Sequence, residues 1–127
     1  MGYDVHFIQV PTPPGICFPV AADKTDKLLA GAVPFQDLGS LRASLLKIDG
    51  CRRGSGDAID YLGKGLSYAR LVVRKDAIHV ENNCSAGELI KIYKHLVEAY
   101  PPLVILDLQS RQVHDADSLM AWWSRPL

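Results

Sequence analysis

The stretch from Ser85 to Leu108 constrains this chain more than any other. Ser85-Ala86-Gly87-Glu88 spells a capping box, in which the serine hydroxyl and the glutamate carboxylate each satisfy a backbone N–H at a helix start. Leu89, Tyr93, Leu96 and Tyr100 then recur at helical spacing with Ile92 and Val97 beside them, while Lys91, Lys94 and Glu98 face water. Pro101-Pro102 ends that helix, since proline has no N–H to donate. The run Leu103-Val104-Ile105-Leu106-Asp107-Leu108 is apolar on both alternating faces, as expected of a strand covered on both sides.

The remaining elements are weaker but ordered. Tyr3 to Val10 alternates as a strand, with Tyr3, Val5 and Phe7 on one face and Asp4, His6 and Ile8 on the other. Pro11-Thr-Pro-Pro-Gly15 stops it, and from there to about Pro34 the only regular piece is a short helical pattern near Thr25 to Ala30. Leu38, Leu41, Leu45 and Ile48 form one stripe of a helix capped by Asp37 or Ser40 and ended by Gly50. Arg52 to Gly56 reads as a flexible turn, Asp57 to Leu62 as a helical turn, and Gly63-Lys64-Gly65 as a break. Leu66 to Arg74 and Ala77 to Glu81 read as a hairpin around Lys75-Asp76. Val113-His114 reads as a short strand, and Asp115 or Asp117 caps a final helix carrying Leu119, Trp122 and Trp123.

Strand, helix, strand, strand, helix, strand, with a terminal helix added, predicts an α+β domain of the ferredoxin-like, split βαβ kind. Its antiparallel sheet carries two helices on one face, joined by right-handed crossovers. The 127 residues, 48% of them hydrophobic, suffice for one domain over 1–127 without metal or disulfide staples. Fourteen basic residues balance fourteen acidic ones, with no basic cluster, which argues against a nucleic-acid partner. The longest aliphatic run, Leu103 to Leu106, is too short for a membrane, and Met1 to His6 carries no export or myristoylation signal. Cys17, Cys51 and Cys84 form no C-x-x-C pair, and with these features they read as free thiols in the cytoplasm.

With helices on one face, the reverse face is left to solvent, to residues 11–36 and the terminal helix, or to a partner. Ile78 and Val80 point at the helices, so His79 and Glu81 point away, and Tyr68, Arg70 and Arg74 share a face of the preceding strand. The first and third strands are neighbours in this fold, which brings His6 and His79 together with Asp4 and Glu81 nearby. His6, Tyr68, Arg70, His79 and Glu81 are therefore the candidate partner-binding residues on the sheet. Trp122 and Trp123 are the candidates on the tail, as a core plug or an interface anchor. Solvated outward positions on a half-buried sheet explain the sheet residues more simply.

His114-Asp115-Ala116-Asp117 admits a catalytic reading, though a turn with an N-cap explains the same letters. Arg52-Arg53 beside Cys51, and the helix start after Cys84, hint at lowered thiol pKa values, but buried or idle thiols are the better reading. Gly54-Ser55-Gly56 and Gly63-Lys64-Gly65 do not complete a phosphate-binding loop. No H-x-x-H or H-E-x-x-H spacing calls for a metal, and no cofactor is implied.

From the capping box through Tyr100-Pro-Pro-Leu-Val-Ile-Leu-Asp107 to His114-Asp-Ala-Asp-Ser-Leu-Met-Ala-Trp122-Trp123, the chain resembles small bacterial cytosolic proteins that include immunity proteins of interbacterial toxin systems. The resemblance covers the C-terminal third, rests on helix, strand and turn signals, and transfers no functional residue. It implies a non-enzymatic protein-binding domain, with toxin neutralisation as its sharper form, whose partner is another protein or a second copy in a homodimer. The alternative is a small metal- or ligand-binding domain or enzyme using the His/Glu/Arg group on the sheet face.

Overall fold

A computed structural model describes residues 3–123. Met1 and Gly2, where the myristoylation reading falls, lie outside the described residues. Seven strands form one antiparallel sheet: β1 (Val5–Gln9), β2 (Cys51–Arg53), β3 (Ala58–Leu62), β4 (Tyr68–Val73), β5 (Ile78–Asn82), β6 (Leu103–Asp107) and β7 (Val113–His114). Their order across the sheet is β2-β3-β4-β5-β1-β6-β7. The helices are α1 (Ala22–Leu29), α2 (Leu38–Leu46), α3 (Ala86–Ala99) and α4 (Ala116–Trp123).

The mixed α+β class stands, but the sheet is larger than the expected four-stranded sandwich. Residues 51–62, expected as a flexible turn and a helical turn, instead form the β2–β3 hairpin. Gly54 N–H bonds to the Ala58 carbonyl at 2.9 Å, and Cys51, Arg52 and Arg53 pair with Tyr61, Asp60 and Ile59. Ile59 and Tyr61 are buried against the helices, so sheet packing outweighs the weak helical pattern there.

The core lies in two layers. On one face, Leu41 and Leu45 of α2, Leu89, Ile92 and Leu96 of α3 and Leu119 of α4 pack on Val5, Phe7, Leu71, Ile78, Val80 and Ile105. The caps are local: Ser85 Oγ accepts from Glu88 N–H at 3.3 Å, Asp37 from Ser40 N–H at 3.1 Å, and Asp115 from Ser118 N–H at 2.8 Å. Three helices thus share the face on which two were expected, and the terminal helix, offered as a cover for the reverse face, packs here instead.

The second layer closes part of the reverse face. Ile8, Val10, Val104, Leu106 and Val113 pack there against Val20, Ile16, Phe18, Leu28 and Leu29. Residues 11–36 are pinned at several points. Val20 and Val113 exchange N–H···O bonds of 2.8 and 3.2 Å, Val33 N–H reaches the Gln9 carbonyl at 2.8 Å, and Phe35 N–H reaches that of Lys75 at 2.8 Å. Thr25, wholly buried, donates its hydroxyl to the Arg111 carbonyl at 2.6 Å, and Arg111 pairs with Asp26 at 2.9 Å. The reverse face is therefore half sealed by the chain itself.

Two glycine turns separate strain from crowding. Gly50 (φ 94°) and Gly56 (φ 60°) both lie in the left-handed region. A Cβ at Gly50 would sit 2.6 Å from the Leu62 carbonyl oxygen, whereas one at Gly56 meets nothing. In urea denaturation, Gly56→Ala should cost about 1 kcal/mol and Gly50→Ala at least twice that. Equal costs would contradict the close approach of Gly50 to β3.

Candidate functional site

The uncovered half of the reverse face is built from two cross-strand rows. In the first, Arg52 pairs with Asp60, Asp60 with Arg70, and Arg70 with Glu81, so the charges alternate across β2, β3, β4 and β5. Asp60 Oδ1 accepts from Arg70 Nε and from Tyr68 Oη, both at 3.2 Å. The bond to Asp60 and the neighbouring Tyr68 raise the Arg70 pKa and hold its cation. Glu81 ends the row exposed to solvent.

In the second row, Val72 pairs with His79, His79 with His6, His6 with Leu106, and Leu106 with Val113. His6 and His79 face each other directly, Nε2 to Nδ1 at 2.9 Å, with rings edge-on and centroids 5.0 Å apart. Asp4 Oδ2 stands 4.0 Å from the other nitrogen of His79, Nε2. Burial lowers the His6 pKa, and the neighbouring His79 lowers it further; Asp76 opposes this.

Five of the seven candidate residues, His6, Tyr68, Arg70, His79 and Glu81, therefore share one face. Trp122 and Trp123 do not: α4 packs on the opposite layer, beside α3. There Trp122 donates its indole N–H to Tyr3 Oη at 2.9 Å, and the Trp123 ring meets Tyr3 edge-on at 4.5 Å. Tyr3 in turn donates to Asp107 at 2.6 Å, and the buried Asp107 also accepts from Ser110 Oγ at 2.7 Å and Gln109 N–H at 2.9 Å. Burial and the bond to Asp107 raise the Tyr3 pKa. This network latches α4 and β1 to the end of β6, so the aromatic tail serves the chain's own core.

The other sequence candidates resolve structurally. His114 is wholly buried, with Nδ1 2.9 Å from Ser118 Oγ, and Asp115 caps α4, so His114-Asp115 is a helix start. Cys51 and Cys84 are half-buried, and desolvation pushes both thiols up to about 11, in line with buried thiols and against the hint of lowering from their charged neighbours. Cys17 is exposed. Among the described residues, no three His, Cys, Asp or Glu side chains gather as a metal-binding group, and no helix is long and apolar enough to cross a membrane.

Sequence reasoning missed the end of the β3–β4 hairpin. Leu66 is 98% exposed and Leu62 is 41% exposed, and Leu62 pairs directly with Tyr68. Apolar residues immediately flanking Gly63-Lys64-Gly65 were the available signal, since turns ordinarily carry polar letters. Below the turn, Glu88 accepts from Lys64 N–H and from Tyr61 Oη, both at 3.2 Å, tying the hairpin to the start of α3. Comparison with known protein families, curated proteins and solved structures finds no match for this chain.

The buried histidines set a pH dependence. Burial lowers the pKa of His114 below its ordinary 6.5, against the pull of Asp107 and Asp115, and His6 is lowered as described. The unfolded chain therefore binds more protons than the folded one below pH 6.5. Their stabilising contribution is full above that pH and is lost as pH falls toward the folded values. Urea midpoints should be lower at pH 5.0 than at pH 7.5, and His114→Asn should flatten the difference. A midpoint that rises on acidification would contradict this assignment.

Proposed function

We propose that this chain is a non-enzymatic protein-binding domain whose contact surface is the uncovered half of the sheet together with the β3–β4 tip. The observation that carries the reading is Leu66, almost fully exposed at the tip of the hairpin whose strands carry Leu62, Tyr68 and Arg70. An apolar anchor next to tyrosine and arginine is the composition of a protein contact centre. Catalysis has less support, because the sheet histidines bond to each other and His114 is sealed in the core.

The sharper form of the reading is a toxin-neutralising, immunity-type role in the cytoplasm. Its support is the resemblance of the C-terminal third and three thiols without disulfide partners. The run β4-β5-β1-β6 within the sheet supports reading the core as a ferredoxin-like unit extended by β2, β3 and β7. Co-purification from the native cell under mild conditions should recover a specific protein with the wild-type chain. Leu66→Asp and Arg70→Glu should lose it while their thermal midpoints stay within about 3 °C. Recovery of neither a partner nor a second subunit would count against the proposal, and a toxin-like reading frame beside the gene would favour the immunity form.

The homodimer is a second reading with its own support. The row Arg52, Asp60, Arg70, Glu81 is self-complementary when reversed, so a two-fold axis lying across it sets each charge against its opposite. Sedimentation at several concentrations should then show dimers that weaken with salt and with Arg70→Glu. A monomer at every concentration would remove this reading.

A further inference from the structure

We propose that His6 and His79 form a two-histidine site for a late first-row divalent cation, such as Cu2+ or Zn2+, on the open half of the sheet. The two residues are direct cross-strand partners on neighbouring central strands, so the backbone ladder, not flexible loops, sets the separation of their rings. Nitrogens of both rings already converge, at 2.9 Å, with the rings turned 73° to each other. Two imidazole nitrogens on a tetrahedral zinc, each about 2.0–2.1 Å from the ion, stand about 3.3 Å apart. Opening the pair by roughly 0.4 Å meets that spacing, with both rings turned so that their lone pairs leave the N···N line and meet at the ion.

The protonation pattern also suits a cation. A neutral imidazole carries one proton, and Asp4, 4.0 Å from His79 Nε2, favours it on that nitrogen. His79 Nδ1 is then the free lone pair that accepts from His6 Nε2–H. When a cation enters, His6 gives up the bridging proton at Nε2 to solvent and takes one up at Nδ1, so the ring stays neutral and the two facing nitrogens, His6 Nε2 and His79 Nδ1, become ligands. Asp4 remains behind His79 as the carboxylate that orients a metal-binding histidine and raises its basicity. The chain supplies two ligands, and water completes the coordination. Asp60 and Glu81 belong to the neighbouring row and stay outside it.

The site concerns a cation and does not depend on a protein partner, so its test is separate from that of the proposed function. Calorimetric titration of the full chain with CuCl2 or ZnCl2 should show one equivalent, tighter for Cu2+ than for Zn2+, with no heat from MgCl2. His6→Ala and His79→Ala should each weaken binding at least tenfold, and Asp4→Asn should weaken it about tenfold. On the wild-type chain, ring-nitrogen NMR signals of His6 and His79 should shift with added Zn2+ while those of His95 and His114 stay in place. That second readout holds even if a variant fails to fold. Absence of binding at millimolar Zn2+, or shifts confined to His95, His114 or a cysteine, would overturn the proposal.

Discussion

A strand that is apolar on both faces must be covered on both faces, and in this chain that strand is β6. All five of its side chains are buried, three of them turned to the helical layer and two to the segment 11–36. Fully burying a leucine or valine is worth about 1.5–3 kcal/mol, which more than one such residue on the reverse face multiplies. The otherwise irregular residues 11–36 are held down by that gain and by their backbone bonds to Gln9, Lys75 and Val113. Where this cover ends determines what the sheet offers to anything else.

The boundary falls along β1. On the row Val72, His79, His6, Leu106, Val113, the last two side chains lie under the α1 layer, the first lies on the open half, and the histidine pair marks the seam. This position explains the chemistry of His6. It is buried enough to resist protonation yet faces His79 and, through it, Asp4 near solvent. Beyond the seam, charges can alternate because water reaches them, and Asp60 organises Tyr68 and Arg70 without closing the surface. The other face has its own polar latch, in which Asp107 and Tyr3 hold the tryptophan-bearing end of α4.

Much of this was legible in the residues. The capping box at Ser85, the stripe of α3, the β4–β5 hairpin and the double-faced strand β6 each have a local signature that the tertiary structure does not override. The approach of His6 to His79 followed from strand adjacency alone. The β2–β3 hairpin was not legible, because Arg52 to Gly56 has turn composition and the burial of β3 does not alternate strictly. The cover by α1 was legible only as one alternative for residues 11–36, because its start has no side-chain cap and its single buried member is a threonine bonded to distant Arg111. For the tryptophans the residues allowed a core plug as well as an interface anchor, and the structure has the plug; its partner Tyr3 was not legible, because nothing in the sequence pairs Tyr3 with residues about 120 positions away. A lone aspartate ending an apolar strand, Asp107, was the overlooked signal of a buried polar latch.

The half-covered sheet is tested most directly by placing the same charge on each side of the seam in the same row. Leu106→Lys and Val72→Lys should be compared by urea denaturation at neutral pH. Leu106→Lys should lose at least about 3 kcal/mol, because the ammonium has no route to water under α1, while Val72→Lys should lose no more than about 1 kcal/mol. Equal losses at the two positions, or a tolerated Leu106→Lys, would show that the chain does not divide its sheet in this way.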